Sequence, residues 1–408
     1  MTSSVFSSIE PGIPNEIFAL HEEFCNDPYK KKVDLVKGAY RTDEGKPWVL
    51  PVVRKTEIIL ANDENTFHES EHFLGSSEFT YAATSLLLGE NSVAIQDKRT
   101  LGVQTLGGTG ALSIGAQFLK KCLGRSHFYL SDPHWKAYEI IIMQAGFEKS
   151  SCYRYWNAEK QYIDMDGLSE DLSKAEPNSV VLLQACAHNP TGCDPTPEQW
   201  AKIASLMKKN RLFPFFDIAY QGLASGDMDK DAETVRYFVD QGFELMCAQS
   251  FSKNFGLYGE RVGSLTIVSN CAHTMPHIAS KMINIAEGNY LVPPLHGSRI
   301  VASVLKKPAL FQEWQSCVKT MLNRIIAMRS GLKKRLEALK TPGSWDHITS
   351  QRGMFCLIGL APAQIEYLRK KHHVYTLENG RMNVAALTPS NLDHVAWSIH
   401  DTVLNAKG

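Results

Sequence analysis

Lys253 is the residue of this 408-residue chain whose surroundings point most directly to covalent chemistry. It lies in Ser250-Phe-Ser-Lys-Asn-Phe-Gly256, where aromatic rings on both sides can exclude water from the amine. A desolvated lysine loses its proton more readily and can then form a Schiff base with an aldehyde. Because most isolated lysines are solvated surface groups, further residues are needed to support this interpretation.

A carboxylate and a phosphate-binding turn are the next candidates. Asp217 directly follows the apolar run Phe213–Phe216, where an unpaired charge is costly, so we expect it to have a cationic partner. Gly107-Gly-Thr-Gly110 precedes a predicted helix, whose free N–H groups suit an anion. A structural salt bridge and an ordinary glycine turn are the simpler explanations of these two motifs taken singly.

Two more turns complete the set. His188-Asn-Pro-Thr-Gly192 follows another apolar run, and Arg261 comes shortly after Lys253. A phosphate site, a carboxylate, an amine nucleophile and a second cation are together what pyridoxal phosphate requires. A nicotinamide-dependent enzyme needs no such lysine, and a P-loop kinase would carry a different glycine motif.

The elements that must position these turns are six short, mostly apolar runs separated by stretches long enough for helices. Such runs are typical of strands buried on both faces of a parallel sheet. We therefore predict an α/β fold with a mostly parallel, helix-covered sheet, and ligands bind at the carboxyl ends of such strands. The predicted strands are Val103–Leu106, Phe128–Ser131, Val180–Cys186, Phe213–Phe216, Leu245–Ala248 and Ser264–Val268.

The two ends of the chain have a different pattern. Helices are predicted at Ile17–Phe24, after Pro51 and at Ala309–Leu339, with later strands at Gly353–Ile358 and Met382–Ala385. The natural division is an N-terminal arm (1–14), a small domain built from both ends (15–47 and 300–408) and a large cofactor-binding domain (48–299).

Composition narrows the class of protein. The 43 basic and 43 acidic side chains cancel, which argues against bulk-charge binding of nucleic acid or of an anionic membrane. The nine cysteines form no Cys-x-x-Cys pair, so no zinc site is predicted, and their scatter suits a reducing compartment. With no secretory signal and no apolar run of about 20 residues, the expected location is the cytoplasm.

The quoted motifs, together with Phe215-Phe-Asp-Ile-Ala-Tyr-Gln-Gly222 and Gln249–Gly263, resemble the aspartate aminotransferase family of class I pyridoxal-phosphate-dependent enzymes, animal cytosolic type. The similarity runs from Gly38-Ala-Tyr-Arg41 to Ser398-Ile-His400. It implies a fold-type I architecture, pyridoxal 5′-phosphate as cofactor, an amino acid and a 2-oxo acid as substrates, and a homodimer with shared active sites.

The resemblance also implies a role for each matching residue. Lys253 would attach to the cofactor and move the substrate proton, and Asp217 would hold the ring nitrogen protonated. Asn189 and Tyr220 would bind the ring 3′-oxygen, and Trp135 would stack on the ring. The phosphate would be held by Gly108, Thr109, Ser250 and Arg261. The substrate would be bound by Gly38, Trp135, Asn189 and Arg381, with Arg381 and Gly38 on its α-carboxylate.

Five positions depart from the family pattern. Ser70 replaces a tyrosine that reaches the neighbouring subunit's cofactor phosphate, and Lys37 replaces a valine. Tyr138 and Gln184 align with two histidines near the ring-binding aspartate. Glu287 aligns with the arginine that binds the distal carboxylate of dicarboxylic substrates.

The Glu287 departure makes dicarboxylate specificity doubtful. Sites built for one charge reject the wrong partner by roughly 10⁴-fold or more where buried groups are left unpaired. We expect weak transamination of aspartate and glutamate, unless Lys37 supplies the missing cation or neutralises Glu287; both residues could also be solvated. Two other functions remain open: another carbanion chemistry (racemase, decarboxylase or lyase), or a weakly active paralogue that binds the cofactor.

Overall fold

The computed structural model describes residues 4–12 and 14–406. Met1–Ser3 and Ile13 of the predicted arm, and the last two residues of the predicted small domain, lie outside the described residues. The α-helices are α1 (Glu16–Asn26), α2 (Pro51–Ala61), α3 (Ser77–Leu88), α4 (Val93–Gln96), α5 (Gly107–Lys121), α6 (Ala137–Gln144), α7 (Met165–Lys174), α8 (Pro197–Lys209), α9 (Met228–Asp240), α10 (Met275–Tyr290), α11 (Leu295–Lys306), α12 (Pro308–Ala338), α13 (His347–Ser350), α14 (Pro362–His372) and α15 (Leu392–Asn405).

Thirteen strands accompany these helices in the described residues, many of them very short. They are β1 (Val33–Asp34), β2 (Thr100–Leu106), β3 (His127–Asp132), β4 (Lys149–Arg154), β5 (Trp156–Asn157), β6 (Tyr162–Ile163), β7 (Val180–Gln184), β8 (Phe213–Ile218), β9 (Leu245–Ser250), β10 (Val262–Val268), β11 (Phe355–Leu357), β12 (Val374–Tyr375) and β13 (Arg381–Asn383).

Seven strands form the central sheet, in the order β2-β10-β9-β8-β7-β3-β4. All its pairings are parallel except those of β10, which is antiparallel to β2 and β9. The prediction of a mostly parallel α/β sheet is confirmed. The register puts Gln184 beside Asp217 and Asp217 beside Ala248, so the polar turns after β7, β8 and β9 meet at one edge.

Adjacent phenylalanines show why β8 is apolar throughout. Successive side chains of a strand point to opposite faces, and Phe215 and Phe216 belong to two separate hydrophobic clusters. Phe215 packs in the cluster with Ile114 of α5, whereas Phe216 packs in the cluster with Trp314 of α12. Helices therefore cover both faces, and the strand ends are the route by which a ligand reaches the sheet.

All eight predicted strands overlap observed strands, but each differs from the structure at one end or both, and Asp217 lies within β8 rather than after it. β7 stops at Gln184 and not at Cys186, because the chain turns at Ala187, whose φ is 49° and whose N–H donates to Asp194. The predicted strand Met382–Ala385 is β13, Arg381–Asn383, since residues 384–386 form a 3₁₀ turn. Strand β4 was not predicted, because Lys149–Arg154 is largely polar and its composition gives no buried-strand pattern.

The two ends of the chain meet through a short parallel pairing. Val33 pairs with Val374 in β1 and β12, and β13 pairs with β11 nearby. Gly38 follows β1 and Arg381 opens β13, so this pairing carries two predicted substrate-binding residues into one region. No helix in the described residues is long and apolar enough to cross a membrane.

Arg329 organises the segment that leads into β11. It is buried on α12, and its guanidinium donates to the carbonyls of Ile348 (2.8 Å), Gly353 (2.8 Å) and Phe355. Buried carbonyls need donors, and this one side chain supplies three of them.

We expect Arg329→Met to lower the free energy of unfolding by about 3 kcal/mol, because it leaves buried acceptors without donors. Arg335→Met on the same helix is the matched control. Arg335 is 36% exposed and forms an ion pair with Asp393, a surface contact worth about 1 kcal/mol at most. Chemical unfolding of both variants checks this, and equal losses would contradict the role given to Arg329.

Candidate active site

One cavity of about 230 Å³ lies at the carboxyl ends of β7, β8 and β9. It gathers most of the side chains that the sequence predicts to act together. They are Gly38, Gly108, Thr109, Trp135, Tyr138, Gln184, Asn189, Asp217, Tyr220, Ser250, Lys253, Arg261 and Arg381.

The start of α5 forms a cradle that only glycine permits. Gly107 has a φ of +71°, and a Cβ there would stand 2.6 Å from Nη2 of Arg261. A Cβ on Gly108 would stand 2.9 Å from Cβ of Ser250. Free N–H groups of a fifteen-residue helix, a hydroxyl and a guanidinium thus converge, which suits a phosphate.

Arg261 is held in this cradle by carbonyl oxygens. Its guanidinium donates to Tyr258 (2.9 Å) and Leu106 (3.2 Å), and no carboxylate of the described chain pairs with it. Its own backbone has a φ of 53°, in the left-handed region. The positive charge is therefore positioned and remains available to an anion.

Lys253 combines an amine donor with a lowered proton affinity. Its Nζ donates to the carbonyl oxygen of Gly38 (2.5 Å) and lies 4.8 Å from the ring centre of Tyr258. Burial, followed by the positive charges of Arg381 and Arg261, lowers the pKa of Lys253 to about 8. Near pH 8 about half of this amine is therefore unprotonated and nucleophilic.

Asp217 is buried at the end of β8, and the described chain does not form the structural salt bridge that was the simpler explanation of this residue. Its Oδ2 accepts a hydrogen bond from the hydroxyl of Tyr138 at 2.5 Å, and no lysine, arginine or histidine there pairs with it. Burial raises the pKa of Asp217 to about 6, and the bond from Tyr138 opposes that rise. A carboxylate in this position suits a ligand that brings its own positive charge.

Gln184 holds the turn that carries Asn189. Its side-chain amide donates to the Asn189 carbonyl (2.9 Å) and accepts from the Asn189 N–H (2.8 Å). The side-chain oxygen of Asn189 in turn accepts from Nη1 of Arg381 (3.3 Å). Gln184 is thus the register partner of Asp217, as the family alignment suggests, but its side chain bonds to the backbone of the turn.

Arg381 is buried over an aromatic ring. Its guanidinium lies 4.1 Å from the ring centre of Phe355, Nη2 donates to the Val36 carbonyl (2.9 Å), and Nε has no partner. Burial lowers the pKa of Arg381 to about 10, so it stays charged at neutral pH. A buried guanidinium with an unused donor is suited to a carboxylate.

Aromatic side chains complete the walls, and one motif residue proves to be structural. Trp135 meets Tyr138 edge to face at 5.3 Å, and Tyr220 meets Phe355 likewise at 6.0 Å. His188 is buried between Ser131 and Thr191, and burial lowers its pKa to about 3. This histidine is therefore neutral and does not line the cavity.

Three residues that depart from the family lie outside the cavity. Nζ of Lys37 is 3.0 Å from Nε2 of His21, whose Nδ1 is 3.0 Å from Asp34, and Lys37 lines a different cleft. Ser70 and Glu287 are exposed on the single chain. Within one subunit, Lys37 therefore does not replace the missing cation for a distal carboxylate.

Several wall residues were not found from the sequence. Ile17, Leu112, Ala219, Ser252 and Phe355 also line the cavity. Ser252 lies within the lysine motif, whereas Ile17 and Phe355 are apolar residues near opposite ends of the chain and carry no local signal. The described residues contain no group of three or more His, Cys, Asp or Glu side chains that could hold a metal ion.

The chain is similar in sequence to known proteins over nearly its whole length. Residues 30–399 match the family model "Aminotransferase class I and II". The chain is 50% identical to the cytoplasmic aspartate aminotransferase of Gallus gallus and 45% identical to that of Caenorhabditis elegans, covering 99% of each chain in both cases.

Solved structures show the same fold. An aromatic-amino-acid aminotransferase from Burkholderia pseudomallei, covalently bound to pyridoxal phosphate, matches with a TM-score of 0.95 at 37% identity, over 98% of this chain and 100% of that one. The aspartate aminotransferase from Saccharomyces cerevisiae cytoplasm matches with a TM-score of 0.95 at 38% identity, over 98% of each chain. The predicted fold class is confirmed, and the chain belongs to the aminotransferase class I and II family.

Proposed function

We propose that this protein transfers an amino group between an amino acid and a 2-oxo acid, with pyridoxal 5′-phosphate as cofactor. The observation that carries the proposal is one cavity holding a lysine with lowered pKa, a buried carboxylate without a protein cation and a partly unpartnered arginine. Membership of the class I and II family supports it. The cytoplasmic relatives support a cytoplasmic location.

The residues present fit the cofactor. Asp217 offers a buried negative charge to a protonated ring nitrogen, and the cradle at the start of α5 offers N–H groups and Arg261 to the phosphate. When bound, the cofactor supplies an aldehyde for an amine and a ring that accepts electrons from the substrate Cα. Asn189 and Tyr220 would hold the ring 3′-oxygen, and Trp135 would cover the ring face.

The chain's own residues would position the substrate. Arg381 would bind the α-carboxylate through the guanidinium that Asn189 and Phe355 hold in place. Nζ of Lys253 would take the proton from Cα and return it, because this amine exchanges protons near pH 8. The carbonyl oxygen of Gly38 accepts a hydrogen bond from the same amine.

We infer that the substrate side chain is preferentially uncharged. The cations lining the described cavity are Lys253, Arg261 and Arg381, and each already has one of the tasks above. Apolar residues, among them Ile17 and Phe355, occupy the remaining wall. A homodimer would bring the exposed Glu287 of the other subunit to this wall as a negative charge, which opposes a distal carboxylate.

Covalent labelling of Lys253 tests the cofactor assignment. Mixing the protein with pyridoxal phosphate, reducing with borohydride and mapping peptides should place the label on Lys253. The labelling rate of the cofactor-free protein should rise with a midpoint near pH 8, because the unprotonated amine reacts and its pKa is about 8. Lys253→Ala should abolish the label and Lys37→Ala should keep it; a label elsewhere would exclude the proposed function.

The phosphate cradle can be tested with two matched glycines. Gly107→Ala and Gly124→Ala both place alanine at positive φ, but only the first Cβ meets another group, Arg261. The cradle predicts that Gly107→Ala weakens cofactor binding about tenfold or more, since the guanidinium must move. Gly124→Ala should leave the dissociation constant of the cofactor unchanged, and equal effects would contradict the cradle.

Substrate charge can be tested at position 287. Glu287→Arg should raise kcat/KM for L-aspartate by about 100-fold or more, because it replaces repulsion by a carboxylate-binding cation. Glu287→Gln, which only removes the negative charge, should raise it less. Turnover is compared for L-aspartate, L-alanine and L-phenylalanine; strong activity of the unmodified protein with L-aspartate would contradict the inferred preference.

A further inference from the structure

The contact between Tyr138 and Asp217 joins two buried polar groups of the cavity. Tyr138 is 3% exposed and Asp217 is 8% exposed. The hydroxyl oxygen and Oδ2 are 2.5 Å apart, a short distance for a hydrogen bond between a phenol and a carboxylate. No other side-chain donor in the described residues reaches this carboxylate, so Tyr138 alone fixes its orientation from the protein side.

Tyr138 itself has little freedom. It is the second residue of α6, its N–H donates to the Trp135 carbonyl (2.9 Å), and its ring packs in the cluster that contains Ile141 and Phe128. Trp135 meets the ring edge to face at 5.3 Å. The hydroxyl therefore reaches Asp217 from a packed side chain, and the carboxylate cannot turn away without losing its donor.

The groups that face Asp217 do not change charge near neutral pH. They are Tyr138 of α6, Tyr220 beyond β8, Cys186 beyond β7 and Cys247 of β9. Burial raises the pKa of all four, so each stays neutral. Asp217 is then the one group of this set that titrates between pH 5 and 8.

We propose that Tyr138 is a positioning residue that keeps Asp217 ionised and directed at the cofactor ring nitrogen, through a donor that does not itself titrate. The inference rests on the proposed function, since the ring nitrogen belongs to the cofactor. A phenol carries no charge and no cation of residues 4–12 and 14–406 pairs with Asp217, so the cofactor ring would supply the neutralising charge. An imidazole at position 138 would instead gain and lose a proton near neutral pH.

Cofactor affinity measured against pH tests the proposal. Tyr138→Phe removes the donor to the charged form, which raises the Asp217 titration by about one to two pH units. The ratio of cofactor dissociation constants, variant over unmodified protein, should be about two- to tenfold at pH 7 and fall towards one at pH 9. A ratio that does not change with pH would show a merely structural role and overturn the proposal.

Tyr153→Phe is the matched control. Tyr153 is also buried, and its hydroxyl donates to the Leu182 carbonyl (3.1 Å) rather than to Asp217. Tyr153→Phe should lower the stability of the protein but leave the pH dependence of cofactor affinity unchanged. A ratio of cofactor dissociation constants that varies with pH in this variant as well would overturn the assignment to Tyr138.

Tyr138→His keeps a donor and tests the proposal if Tyr138→Phe does not fold. It should bind the cofactor with an added inflection between pH 5 and 8, and a profile identical to that of the unmodified protein would overturn the proposal.

The cofactor-free full chain separates this inference from the proposed function. Asp217 has a raised pKa in the folded state, so it destabilises the folded chain as pH rises from about 4 to 6. The difference in melting temperature between Asp217→Asn and the unmodified protein should change over this pH range. In a protein that also carries Tyr138→Phe, the same difference should change at higher pH. Failure to label Lys253 would defeat the proposed function, whereas an unmoved window would defeat the role of Tyr138.

Discussion

Charges without protein counter-charges are the constraint on which this site depends. Lys253, Arg261 and Arg381 line one cavity with Asp217, yet in the described chain each is held by carbonyl, amide or hydroxyl groups and none by an opposite charge. Enclosing unpaired charges costs free energy, which packing elsewhere must offset. In the proposed function, a ligand with a phosphate, a cationic ring and a carboxylate-bearing partner would offset this cost.

The backbone between Val36 and Ala39 holds these cations apart. The Val36 carbonyl accepts from Arg381, the Gly38 carbonyl from Lys253, and those of Lys37 and Ala39 from Asn383. The carbonyl oxygens of this segment accept hydrogen bonds from Arg381, Lys253 and Asn383, and the Lys37 side chain extends away from the cavity towards His21. One short run of main chain thus orders the site and explains why a new lysine beside it does not enter the cavity.

Much of the site could be predicted because its signals are local. Buried parallel strands are apolar on both faces, and the polar turns that follow them must meet at one sheet edge, as Asp217 and Lys253 do. The role of Arg261 came from the family resemblance, and Arg261 lines the same cavity as Lys253. Asp217 and Lys253 can be recognised in the sequence because charged residues are unusual next to apolar and aromatic runs.

Other features could not be predicted because they depend on tertiary contacts. The partner of Asp217 is a phenol from another helix, and no spacing relates Tyr138 to β8. Phe355 and Ile17 enter the cavity as ordinary apolar residues. The carboxyl end of β7 was misjudged because the chain turns at Ala187 with a positive φ, which an apolar run does not reveal. The division into two domains stays a prediction.

The pairing of β1 with β12 has a consequence for how the protein is made. Val33 emerges from the ribosome long before its partner Val374 and before Arg381. The helices that cover the central sheet can form as they are translated. Strand β1 cannot pair with β12 until Val374 has been translated. Until then the amino-terminal segment has an unsatisfied strand edge, and a nascent chain held at that stage is the form most exposed to chaperones and to wrong pairing.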